Sequence, residues 1–288
     1  MKFELHCHSC YSKGMKIAAE GIPNPREIVR HAKSIGLSGI AITDHMTTEA
    51  WKAASEEAKR RGILFIPGVE LQTTAGHLIA LGIGEAVENW LDFEEAVGKI
   101  HDAGGIAIAP HPFDIRGEGV RNLAFRADAV EIFNSLGIDL VGNRLASSKF
   151  KNLQIPKVVG SDAHTLAMLG RSVNVMEAED IDAVLESIVK GRVRFETSYV
   201  PMDDVISWAR ERLAGSREEV LDYIETHYRQ PKAWLYKKLL KKFMATSNAP
   251  WKALAEMSLQ AVRLYGFAKA SSFPGLKPSF HEKYELHY

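Results

Sequence analysis

The chain has 288 residues, 46% hydrophobic and 25% charged, which suits one large α/β domain or one domain with an appendage. No apolar run approaches the ~18 to 20 residues of a membrane span, and the opening Met1-Lys2-Phe3-Glu4-Leu5-His6 reads as a strand rather than a secretory signal, so a cytoplasmic protein without membrane association is expected. A formal net charge of zero argues against bulk attraction to nucleic acid or membrane, although residues 201–288 are mildly basic, with 14 Lys+Arg against 10 Asp+Glu.

The predicted elements start with a strand over 2–8, on which His6 and His8 point to one side and Cys7 to the other. Asn24 is placed to cap a helix that begins at Pro25 and runs to about Ile35, where Gly36 stops it. A strand over 38–44 follows, then a helix capped by Thr47 or Thr48 and ended by Gly62, then a strand over 63–70. Only Leu71 to Gly76 separate Glu70 from His77, too few for a crossover helix, so a strand over 77–83 should return as a hairpin. His77 then lies at the same end as Glu70. Helix 92–103, strand 106–110, a Gly-rich and charged loop over 113–121, strand 128–133, helix 139–149, strands 157–161 and 172–176, helix 180–190 and a short strand at 193–195 complete the alternation.

This order predicts a mainly parallel sheet with covering helices, closed as a barrel whose chemistry lies at the carboxyl ends of the strands. From Pro201 onward the pattern is helical throughout, with helices over 202–213, 216–228, 231–245 and 250–268. The reading is therefore a barrel over 1–200 and a helical extension over 201–288. Between Arg229 and Lys252 there is no acidic residue, while seven basic residues interleave with Trp234, Tyr236, Phe243 and Trp251. Such a segment can bind single-stranded nucleic acid; alternatively, its stripe of Leu235, Leu239, Leu240 and Phe243 packs on the barrel.

Several apolar, β-branched runs end in a ligand-type residue. Ile40-Ala41-Ile42-Thr43 leads to Asp44-His45, Ile66-Pro67-Gly68-Val69 to Glu70, Ile108-Ala109-Pro110 to His111, Ala129-Val130 to Glu131, and Val159-Gly160-Ser161 to Asp162-Ala163-His164. With His6, His8 and His77 they supply neutral imidazoles and carboxylates, the donors that hydrolytic metals prefer, and a carboxylate can bridge two cations. Cys7 and Cys10 have a Cys-x-x-Cys spacing, yet no second pair completes a four-cysteine site.

His6-x-His8-Ser9, Thr43-Asp44-His45, Gly68-Val69-Glu70, His111-Pro112 and Gly160-Ser161-Asp162-Ala163-His164, in that order, resemble the PHP (polymerase and histidinol phosphatase) family over roughly residues 1–196. The resemblance implies a distorted (β/α)7 TIM-like barrel holding two or three divalent ions of zinc, manganese or iron, and hydrolysing phosphoesters with metal-activated water. It assigns His6, His8, Glu70 and Asp162 to one ion, Glu70, His77 and His111 to a second, and His45 and His164 to a third, with Asp44 a ligand or an orienter of His45. Asp162 or His164 would also move protons. Where many family members carry an aspartate that binds the third ion, this chain has Lys13, which would leave that site weak or empty and either supply positive charge or grip a substrate phosphate; alternatively Glu20 would swing in as the substitute acid. Arg116, Arg121 and Arg171 are the cations placed to bind phosphate, Arg171 the best of them.

The expected substrate is a phosphorylated small molecule, a nucleotide or a nucleic-acid end. The alternatives are a histidinol-phosphate phosphatase, a noncatalytic RNA-binding scaffold and a carbon–nitrogen hydrolase.

Overall fold

The computed structural model describes residues 1–14 and 17–271; His281 and His287, to which no role is assigned, and the end of the helical extension lie outside them. Nine strands form one sheet among the described residues, in the order β7-β6-β5-β4-β3-β2-β1-β8-β9. They are β1 (Lys2–Glu4), β2 (Gly39–Ile42), β3 (Leu64–Thr73), β4 (Gly76–Leu81), β5 (Ile106–Ala109), β6 (Ala129–Asn134), β7 (Lys157–Gly160), β8 (Ser172–Val175) and β9 (Arg194–Thr197). The helices between the strands are α1 (Pro25–Ser34), α2 (Ala50–Arg61), α3 (Phe93–Asp102), α4 (Val141–Phe150) and α5 (Ile181–Val189). The hairpin appears as expected, with β4 antiparallel to both β3 and β5, while β1-β2-β3 and β5-β6-β7 run parallel.

The sheet curls into a nearly closed, TIM-like barrel. Its seam lies between β7 and β8, where two buried side chains take the place of a backbone ladder: the Val159 N–H donates to Asn174 Oδ1 (3.0 Å) and Asn174 Nδ2 donates to the Val159 carbonyl (2.7 Å), while Ser161 Oγ accepts from the Ser172 N–H (3.0 Å) and donates to the Ser172 carbonyl (3.3 Å). Strand alternation then sorts the core. Phe3, Leu5, Ala41, Ile66, Ile79 and Val158 fill the barrel together with Val184 and Ile188 of α5. Ile40 and Ile42 turn outward beneath α1 and α2, and Phe93, Ile100 and Phe150 cover the far side from α3 and α4. The interior is thus apolar below and leaves its upper rim to polar side chains.

Helix boundaries follow local chemistry. Asn24 caps α1 as expected, and Glu27 returns the bond to the Asn24 N–H. Helix α2 departs from expectation by starting at Ala50, because Thr47 spends its hydroxyl on the Glu49 N–H in a turn before the helix.

The extension contains α6 (Met202–Gly215), α7 (Arg217–His227), α8 (Lys232–Ala245) and α9 (Ala249–Ser271). Ile206 and Trp208 of α6 are buried, Trp208 within the same core as α1 and α2. The proposed packing of α8 on the barrel through its leucines is not what the structure shows. Leu235 and Leu239 are exposed, and α8 rests on α6 and α7, with Phe243 against Trp251 and Arg210.

Glu4, fully buried in β1, ties three segments together. Its carboxylate accepts from the N–H groups of Leu5 (3.2 Å), His6 (3.2 Å), Ser161 (3.1 Å) and Gly170 (3.2 Å), and burial nevertheless pushes its pKa up to about 7. Glu4→Ala strands these donors, so a loss of about 3 kcal/mol or more is expected in urea unfolding; an unchanged midpoint would contradict this account.

Candidate metal centre

Each strand end at the upper rim delivers one or two of the expected residues. The chain after β1 stays extended, so His6 and His8 keep their common side, with ring centroids 5.3 Å apart, while Cys7 enters the core. Burial pushes the Cys7 thiol up, away from the reactive thiolate. His45 follows β2, Glu70 and His77 come from the hairpin, His111 follows β5, and Asp162 and His164 follow β7. His111 (φ 28°) and Asp162 (φ 51°) hold left-handed backbone that bulky residues avoid, and the strain is offset by bonds from the His111 N–H to Glu131 (2.9 Å) and from the Asp162 N–H to the His6 carbonyl (2.9 Å).

Glu70 is the hub. Its Oε2 lies 3.5 Å from His6 Nε2, 3.4 Å from His8 Nε2 and 3.1 Å from His45 Nδ1, and its Oε1 lies 2.9 Å from His77 Nδ1 and 3.2 Å from His111 Nε2. Asp162 Oδ1 lies 3.1 Å from His8 Nε2 and 3.5 Å from His6 Nε2. Four overlapping groups have ligand atoms mutually within 4.8 Å: His6, His8 and Glu70; His6, His111 and Asp162; His45, Glu70 and His77; and His8, His45 and His164.

The donor set fits divalent cations on an observation independent of its composition. His6 Nε2, His8 Nε2, His77 Nδ1, His111 Nδ1 and His164 Nε2 are buried and make no well-directed hydrogen bond, His77 Nδ1 despite its 2.9 Å approach to Glu70, an expensive state for a polar atom. The opposite nitrogens explain the orientation of three of these rings. His164 Nδ1 lies 2.8 Å from the Asp162 carbonyl, which only accepts, so the proton sits on Nδ1 and Nε2 carries the lone pair. His6 Nδ1 is held by the Glu131 carboxylate (2.9 Å) in the same sense, and His8 Nδ1 is held by Ser12 Oγ (3.0 Å), a hydroxyl that can donate or accept. Glu131 is thereby an orienter rather than a ligand, and Gly160 makes room for it, since a Cβ there would fall 2.0 Å from its Oε1.

The electrostatics agree. Burial opposes charge on His6, His8 and His111, but the surrounding carboxylates outweigh it and raise all three pKa values. Burial likewise works against ionised Glu70 and Asp162, yet the imidazoles hold both well below the usual carboxylate range. His45 falls to about 3 through burial, and His164 is lowered well below its ordinary value by burial and then by His8. The pocket attracts positive charge at its floor and keeps neutral imidazoles at its edge.

The remaining expectations separate. Asp44 is buried but turned to Ser9, whose N–H (2.5 Å) and Oγ (2.6 Å) occupy its two oxygens, and it joins none of the four groups. Arg116 is half-exposed, paired with Asp114 (3.3 Å) and Glu118 (3.0 Å), and its pKa is raised by Glu118 and Asp162 against the effect of burial. Arg171, the favoured phosphate cation, instead pairs with Asp204 of α6 (3.2 Å) and donates to the Ala167 carbonyl, serving as a strut to the extension. Arg121 and Lys13 are exposed. The residues that sequence reading missed are Trp208 and Arg212: the Trp208 ring lies 4.6 Å from that of His164, and Arg212 reaches Glu20 (3.7 Å), which stands 3.5 Å from His45 Nε2. No motif announces them, because they come from a helix that spacing could not connect to the rim.

Fold and site together define a barrel built to cage cations. The PHP domain profile matches residues 4–107 and the PHP-associated profile residues 142–193. An uncharacterized protein of Methanocaldococcus jannaschii is 36% identical over 155 residues, 52% of this chain and 91% of that protein. The chain belongs to the PHP family. It is also similar to the 5'-3' exoribonuclease Rnm of Salmonella typhimurium, 34% identical over 113 residues, 37% of this chain and 36% of that protein. A solved two-domain structure from Bacteroides vulgatus, described as containing a predicted PHP-like metal-dependent phosphoesterase, shares the fold with a TM-score of 0.57 at 17% identity, covering 74% of this chain and 69% of that one.

If Glu131 sets the orientation of His6, Glu131→Ala should weaken cation binding about 10- to 100-fold while the fold persists. Competition with a chelator followed by optical indicator is the check; unaltered affinity would assign Glu131 to structure alone.

Proposed function

We propose that this chain is a metal-dependent phosphoesterase hydrolysing phosphate esters of nucleotides or nucleic-acid ends, with a barrel over 1–200 as its catalytic unit. The observation that carries the reading is Glu70, whose two oxygens are divided between His6, His8 and His45 on one side and His77 and His111 on the other. A carboxylate so shared is suited to bridging two cations. His6, His8, Glu70 and Asp162 would hold one ion, and Glu70, His77 and His111 a second. Bound there, the ions would make water nucleophilic near neutral pH and offset charge on a phosphoryl group.

The protein's own part is positioning. His164, with its Nδ1 proton committed to the Asp162 carbonyl and its pKa lowered by burial, is a neutral lone-pair donor at Nε2 and a poor acid. Asp162 is held ionised by the imidazoles around it, which favours cation binding. Arg116, in the loop after His111 and within reach of the Asp162 charge, is the cation assigned to meet a phosphate at the rim.

The nucleic-acid preference draws on the relative named as an exoribonuclease and on α8, where Trp234 is 57% exposed beneath Lys238 Nζ, 4.8 Å from its ring. An exposed indole beside lysines suits base stacking and phosphate neutralisation. No helix among the described residues is long and apolar enough to cross a membrane.

The purified protein, loaded with manganese or zinc, should release phosphate or nucleotides from 5'-phosphorylated oligonucleotides or nucleoside monophosphates. Chelation should abolish turnover, and Glu70→Gln should reduce it at least about 100-fold. Preferred turnover of histidinol phosphate would replace the substrate assignment. Turnover of amides but not of phosphate esters would replace the reaction class.

A further inference from the structure

We propose that Glu20 is the carboxylate of the third cation position and that helix α6 of the extension holds it there. The inference builds on the metal-centre reading above. Of the four ligand groups, three include Glu70 or Asp162, but the group of His8, His45 and His164 has no carboxylate. Hard divalent cations favour oxygen donors, and the residue expected to supply one in the His-x-His turn is Lys13, exposed and unable to ligate while protonated. His164 Nε2, in a residue only 3% exposed, nonetheless stands without a partner, so the position has an unmet ligand atom.

The chain itself brings a carboxylate to this place. Lys13 bridges to Ala19 in antiparallel fashion, which folds the loop back and returns Glu20 to the rim. Glu20 Oε2 then lies 3.5 Å from His45 Nε2, while Oε1 faces Arg212 at 3.7 Å, so one oxygen is turned to His45 at the edge of the imidazole group and the other to the extension.

Helix α6 and the residue that follows it clasp the two residues concerned. Trp208 Nε1 donates to the Glu20 carbonyl (2.7 Å), Arg212 Nε donates to the Ala19 carbonyl (2.9 Å), and Ser216 Oγ accepts from the Ala19 N–H (2.9 Å). The Arg212 guanidinium lies 4.8 Å over the Trp208 ring, which itself packs on His164. An irregular loop is thus fixed by bonds to a helix that is itself anchored by its buried Trp208. Glu20 is the ligand in this scheme, and Arg212 and Trp208 are positioning residues.

The test counts manganese ions and their affinities by calorimetric titration of the metal-stripped full chain, with elemental analysis after desalting. Wild type should bind one more ion than Glu20→Gln, or hold its weakest ion at least about tenfold more tightly. The double variant Lys13→Asp with Glu20→Gln should restore that ion, because it returns an acid to the same position from the other side of the loop. Arg212→Leu should weaken only this ion and Arg212→Lys should retain it. Glu20→Gln binding the same number of ions with the same affinities would overturn the proposal while leaving a two-ion phosphoesterase standing. Wild type binding no manganese at all would overturn both.

Discussion

The arrangement depends on one buried carboxylate facing more imidazoles than it has lone pairs. Glu70 is 1% exposed, and the rings around it leave ligand nitrogens buried without hydrogen bonds. Folding that concentrates unsatisfied polar atoms and ionised groups in one place is costly, and the strained His111 and Asp162 add to the cost. The barrel below, filled by Phe3, Ile66, Ile79 and their neighbours, provides the apolar stability that lets the rim be arranged for binding instead of packing.

Much of this was legible in the sequence, for physical reasons. A strand has period two, so His6 and His8 declared their common face, and a short link between Glu70 and His77 forced a hairpin that returned the second residue to the first. Crossover lengths then placed each strand's end at one rim, and His45, His111, Asp162 and His164 followed. The ends of helices were readable where a cap was unambiguous, as at Asn24, and misread where two threonines competed with a turn, as before α2.

Side-chain pairing across long separations was not legible. Arg171 looked available because its partner, Asp204, lies in a helix with no periodic relation to it. Asp44 looked like a ligand because nothing in a linear reading shows Ser9 donating twice to its carboxylate. The extension was the largest gap: amphipathic spacing describes a helix's own faces, not its destination, and so α8 was expected against the barrel while α6, which does reach the rim, drew no attention.

The seam between β7 and β8 has a consequence of its own. A ladder distributes adhesion over many peptide groups, whereas this seam relies on two side chains, the Asn174 amide that donates to and accepts from Val159 and the Ser161 hydroxyl that does the same at Ser172. Conversion of that amide to an acid, the commonest ageing reaction of asparagine, would set a negative oxygen against a carbonyl and part the staves next to Asp162. Loss of the Asn174 nitrogen would therefore leave the Ser161 hydroxyl, bonded to both peptide groups of Ser172, to hold that edge of the vessel shut.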